Sequence, residues 1–147
     1  MVAPMSIATL GNTRVIPEPF GKSVSLIRWL LSSAGLSVVQ EFNVSSEPYF
    51  QLAIARRSCI VLLVDTPVLL FESIVLDRAA AVFFPVHVVI SGDRDTTYVH
   101  WANPAMSSGL RPPMPAKIPL ENLCARITQV LSRLPQATEA TLQGQYH

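Results

Sequence analysis

The sequence predicts one α+β domain: a five-stranded antiparallel or mixed sheet with helices on one face, in the order β-α-β-β-α-β-β-α. Three observations predict it. Apolar residues recur at three- and four-residue spacing in three separate stretches. Runs rich in β-branched residues, bounded by turn-forming residues, lie between them. Two of the intervals between helices hold two strands each, which favours antiparallel pairing with the helices gathered on one side.

Residues 1–11 show no periodic pattern and read as a flexible N-terminus; residues 12–135 form the single domain, and the polar residues 136–147 read as a disordered tail. Residues 13–16 are a short strand ended by Pro17 and Pro19. Phe20, Val24, Ile27, Leu30, Leu31 and Ala34 then share one face of a helix, with Gly35 as its stop and Trp29 off the centre of that face. Residues 36–43 read as a strand centred on Val38 and Val39. Between 44 and 58 the pattern is open: Pro48 and the Ser-Ser-Glu run mark a turn, and residues 49–55 fit either a short helix or an irregular strand.

Residues 59–64 form a continuous apolar run, expected as a central strand buried on both faces. Thr66-Pro67 is a helix start, with Thr as cap and Pro at the first helical position. That helix carries Leu70, Phe71, Ile74 and Val75 and ends near Asp77 or Arg78. A hairpin follows: a strand over 82–91, a turn at Gly92-Asp93-Arg94-Asp95, and a return strand over 96–101. Residues 103–119, with prolines at 104, 112, 113, 115 and 119, read as a long loop. Leu120, Leu123, Cys124, Ile127, Val130, Leu131 and Leu134 mark a last amphipathic helix that Pro119 opens and Pro135 closes.

Composition narrows the function classes. Of 147 residues half are apolar and only 14% are charged, so the surface is short of charge and a partner is expected to cover part of it. A second copy of the chain is the simplest partner, and a homodimer is predicted. The formal net charge is +1 and Arg56-Arg57 is the one adjacent basic pair, which speaks against nucleic-acid binding. No apolar run reaches the roughly 20 residues that cross a bilayer. The N-terminus lacks the charged and apolar regions of a signal peptide, so the expected compartment is the cytoplasm. Cys59 and Cys124 lie in apolar runs and read as buried thiols rather than a disulfide. No Cys/His metal spacing occurs, and no cofactor is predicted.

The hairpin offers the one sharp site. A symmetric turn centred on Asp93-Arg94 pairs Ser91 with Thr96, Val89 with Tyr98 and His87 with His100. Side chains alternate along a strand, so Val86, Val88, Ile90, Val99 and Trp101 form a core face. Pro85, His87, Val89, Ser91, Thr96, Tyr98 and His100 form the other. Two imidazoles directly opposite, with Cβ atoms roughly 5 Å apart, can share a transition metal or a ligand. A sheet face packed against a second subunit accounts for the same residues. The Pro-rich loop, with Arg111, Lys117, Met106 and Met114 in it, is a second location for a ligand; it serves equally as a strap across the sheet edge or a subunit contact, and the structural reading is preferred. Asp65, at a strand end, could be a functional carboxylate, but Thr66 acting as the helix cap is the simpler account of this stretch.

Several of these landmarks together are similar to a known family. They are Thr66-Pro67 at a helix start, Leu76-Asp77 at its end, Phe84-Pro85 entering the hairpin, and Asn103-Pro104 closing it ahead of a last amphipathic helix. They resemble the bacterial domain-of-unknown-function family number 302, as does the Gly35-Leu36-Ser37-Val38 step into a strand. The resemblance spans about residues 13–134. Thr66 stands where that family has Asn, Asn103 where it has Asp, and Leu36 where it has an aromatic residue. The resemblance implies an α+β fold with an antiparallel sheet, often dimeric, and brings no activity and no catalytic residues.

The expected function is therefore non-catalytic: a homodimeric domain binding a small molecule or a protein partner, with His87, Tyr98, His100 and Arg111 as the ligand-binding residues. The alternative is a metal-dependent or acid/base enzyme using the His87/His100 pair, with Tyr98 as proton donor. A purely structural homodimer is the third reading.

Overall fold

The computed structural model describes residues 11–44, 58–104 and 111–135. The elements are β1 (Asn12–Ile16), α1 (Phe20–Ser33), β2 (Ser37–Asn43), β3 (Ser58–Asp65), α2 (Pro67–Leu76), a 3-10 segment (Arg78–Phe83), β4 (Val86–Gly92), β5 (Thr97–Trp101) and α3 (Met114–Leu131). The strands lie in the order β1-β5-β4-β3-β2, and every neighbouring pair is antiparallel. The predicted class, helix order and strand order are those of the chain. The predicted flexible N-terminus, the tail and the alternatives for 49–55 lie outside the described residues.

All three helices pack on one face of the sheet. Ile60, Leu62 and Val64 of β3 meet Val86, Val88 and Ile90 of β4 and Val99 of β5 there, under Ile27 and Leu31 of α1 and Leu120, Leu123 and Ile127 of α3. Helix α1 buries Ser23, Val24, Ile27 and Leu31 and leaves Trp29 outside, as its spacing predicts. Gly35 ends it at φ +78°, a left-handed position that only glycine adopts without strain. The Leu36 N–H then bonds the Leu31 carbonyl, and the Gly35 N–H bonds that of Ser32. Arg126 of α3 donates to the Ala34 carbonyl at 2.8 Å, so a cation closes this helix end. Arg14 of β1 does the same after α3, donating to the carbonyls of Ser132 and Leu134.

Four local readings change. In β2 the pairing slips between Val38 and Gln40, so Val39 is the bulged residue rather than the strand's packed centre. In α2 the Thr66 hydroxyl accepts the Leu69 N–H at 3.2 Å, as expected of a cap, but Phe71 and Val75 point outward. Leu69, Leu70, Ser73 and Ile74 take the inner side instead. The strand predicted from 82 starts at Val86, because the Asp77 carboxylate and carbonyl capture the Ala79 and Ala80 N–H groups and wind residues 78–83 into a 3-10 segment. Finally, α3 begins at Met114, inside the predicted loop. Pro115 falls in its first turn, where no N–H partner is needed. Pro119 lies inside the helix and forgoes one backbone bond, while buried Ala116 and Leu120 on either side hold the turn onto the core.

Candidate functional site

The β4–β5 hairpin separates the two faces of the sheet as alternation predicts. Val86, Val88, Ile90, Val99 and Trp101 are all buried. The Trp101 indole N–H donates to the Thr128 hydroxyl at 3.0 Å, fixing the ring against α3. His87, Val89, Ser91, Tyr98 and His100 occupy the opposite face, half-buried apart from exposed His87, and no described helix covers it.

The register differs by two residues from the symmetric pairing. Gly92 faces Thr97, Ser91 faces Tyr98 and Val89 faces His100. The cause is Asp93. Its carboxylate accepts the N–H groups of Asp95 and Thr96, both at 3.0 Å, and its own N–H bonds the Thr96 carbonyl. An Asp placed so becomes the first residue of the turn, which moves the turn centre one residue along and every partner by two. Gly92 suits this closure, since a Cβ there would meet the Thr96 carbonyl oxygen at 2.4 Å. A two-residue shift preserves the faces, so both histidines stay on the open side. They are diagonal rather than opposite, roughly 7–8 Å apart between Cα atoms.

Reading the pairings across the sheet places Thr13, His100, Val89, Val61 and Phe42 in one row. The next row holds Val15, Tyr98, Ser91 and Cys59. His87, Leu63 and Gln40 make a third. The sequence reading missed Thr13, which is hydrogen-bonded between its Oγ1 and His100 Nδ1 at 3.1 Å. Desolvation holds the His100 pKa below the ordinary histidine value, so at pH 7 the ring is neutral. When the Thr13 hydroxyl donates to Nδ1, the ring proton sits on Nε2 and that nitrogen is a donor. The open face thus offers an oriented imidazole and a phenol beside apolar Val89, Val61 and Phe42.

The other predicted residues do not join this group. Arg111 is exposed three residues before α3, in the approach to the helical layer. Asp65 is buried, with its carboxylate accepting the Thr66 N–H at 2.7 Å. Burial raises its pKa and that hydrogen bond opposes the rise, so it serves the start of α2. Neither Cys59 nor Cys124 is in a disulfide, and both are half-buried. Burial raises both thiols, Cys124 to about 11, which makes them poor nucleophiles at neutral pH. Among the described residues no three His, Cys, Asp or Glu side chains cluster as metal ligands. No helix among them is long and apolar enough to cross a membrane.

A second feature was not anticipated. Phe71, Val75 and Leu76 of α2 and Met114, Ile118 and Pro119 of α3 line an apolar groove of about 510 Å³. Its signal was present in the i, i+3, i+7 spacing of Val68, Phe71 and Val75. The prolines at 115 and 119 hid the first turns of α3, and with them the facing wall.

A five-stranded antiparallel sheet with helices on one face and a mixed polar and apolar second face defines an α+β domain. The chain belongs to the family described as Domain of unknown function DUF302, whose model matches residues 12–134. Its fold is similar to that in the crystal structure of an uncharacterized conserved DUF302 protein from Bacillus stearothermophilus, with a TM-score of 0.71 and 16% sequence identity. The match covers 86% of this chain and 98% of that one. No curated protein matches the chain.

Proposed function

We propose that this DUF302 domain is a non-catalytic, homodimeric binding protein of the cytoplasm, and that its ligand is a small molecule held on the open sheet face. The observation that carries this reading is the Thr13–His100 hydrogen bond on a face no described helix covers. A hydroxyl that orients a neutral imidazole, with Tyr98 two residues away on the same strand face, offers hydrogen bonds to a guest. Val89, Val61 and Phe42 in the same row supply apolar contact. A flat, largely apolar molecule with one or two hydrogen-bonding groups suits such a surface. Homodimer formation accords with the shortage of surface charge, 14% of residues.

Two measurements on the intact protein test this. Native mass spectrometry of the protein as purified reads subunit number and retained mass together. A ¹H–¹⁵N NMR screen against neutral heteroaromatic and phenolic fragments reads the face itself. The expected result is a set of shifts centred on Thr13, Tyr98 and His100 that His100→Ala abolishes without unfolding the protein. Shifts confined elsewhere, or none at millimolar fragment, would reject the site. The shared face of His87 and His100 also allows a metal-dependent or acid/base enzyme. Zinc that perturbed both imidazoles together, with loss of binding in either alanine variant, would move the reading there.

A further inference from the structure

We infer that the outward face of α2 and the first turns of α3 is the homodimer interface, so that a second copy of this chain covers it. The inference rests on the homodimeric reading and names the surface that reading leaves open. Six of the large exposed apolar side chains gather here: Val68, Phe71, Val75 and Leu76 on α2, and Met114 and Ile118 on α3, each 59–73% exposed. At such exposures they present roughly 300–600 Å² of apolar surface. That is as large as the largest apolar patch on a typical monomer, itself roughly 300–600 Å² and often functional. It is also comparable with the apolar part, a little over half, of the roughly 800 Å² each partner contributes to a stable interface.

The shape agrees with the area. On α2 the four residues fall at i, i+3, i+7 and i+8, and on α3 the two fall at i and i+4, so each helix presents one continuous stripe. Between the stripes lies the groove of about 510 Å³, which a helix ridge of the second copy can enter. Glu72 lies among these residues, and helical spacing puts Lys117 and Glu121 at the edge, all three exposed. Charges of both signs let two copies meet about a two-fold axis without single-sign repulsion. The sheet's open face is on the other side of the strands from the helical layer, so a dimer formed here leaves it accessible.

Sedimentation equilibrium of the full chain, over a hundredfold concentration range, tests the assignment with three variants. Val75→Glu and Ile118→Glu each put a charge into the patch, and Val89→Glu puts one on the open sheet face. All three positions lie outside the buried core, and far-UV circular dichroism with urea unfolding confirms that each variant is folded. The expected result is a wild-type dimer, a dimer in Val89→Glu, and at least a hundredfold weaker self-association in both patch variants. If the dimer survives both patch substitutions but is lost in Val89→Glu, the interface is the sheet face and this inference is wrong while the homodimeric reading stands. A wild type that stays monomeric throughout, with or without binding of the apolar dye ANS in the groove, overturns both.

Discussion

Ile90 and Val89 are adjacent on β4 and point to opposite faces, so the pair tests the division of the sheet into a packed and an open side. Ile90 is fully buried. Ile90→Ala deletes three carbons, about 2.4 kcal/mol at ~0.8 kcal/mol each, and the cavity left behind brings the loss to roughly 3–4 kcal/mol. Val89→Ala deletes two carbons that are only partly buried, so about 1 kcal/mol is expected, short of the ~1.6 kcal/mol for two fully buried ones. A domain of about 120 residues has a total stability on the order of 6–18 kcal/mol. Ile90→Ala therefore removes a large fraction of it and lowers Tm by roughly 10–15 °C, against about 4 °C for Val89→Ala. Urea unfolding followed by circular dichroism, at one fixed protein concentration, gives both differences from the midpoints if the slope is unchanged. Equal losses at the two positions would mean that the second face is packed as tightly as the first, and the proposed ligand surface would not exist.

Thr66→Ala removes the hydroxyl that accepts the Leu69 N–H; a loss of about 1 kcal/mol is expected by the same unfolding assay, and no loss would mean the cap is idle. His100 should titrate below the ordinary histidine value of 6.5, because burial disfavours its charged form. As pH falls, the unfolded ring takes up its proton before the folded one. Stability should accordingly fall between about 6.5 and the lower native pKa and level off beneath it. Imidazole proton shifts measured by NMR, with urea midpoints for wild type and His100→Gln across that window, check the sign; a native pKa at or above 6.5 would refute it.

The fold was largely legible because each of its signals is local and redundant. Phe20, Val24, Ile27 and Leu31 can share a side only on a helix, and Thr66-Pro67 both caps and preorganises a first turn. The site was half legible, for a physical reason. Alternation depends on the parity of the pairing, and any even shift preserves it, so the faces survive an error in turn geometry while individual partners do not. The Asp93 carboxylate decided the partners, and an Asp at either of two turn positions gives the same local composition. Thr13 was invisible for a different reason: it lies 87 residues from His100, and only the closure of β1 onto β5 brings them together.

The helical layer shows where an average rule misleads. Proline in a helix interior costs roughly 3 kcal/mol, which makes 103–119 look like a loop when residues are weighed one at a time. In α3 the first proline falls where the N–H has no partner and the second loses a single bond, while Ala116, Leu120 and Leu123 go fully into the core. Burial of that size outweighs one missing bond, and the helix gains a turn and a half at its start. The same extension carries Met114 and Ile118 out beside Phe71 and Val75, making an apolar surface that a shorter helix would not have had. A position that only stabilised the monomer would be satisfied with polar side chains on that outer stripe. Large apolar residues there cost solubility without adding to the core, which is the reason to look for the molecule that covers them.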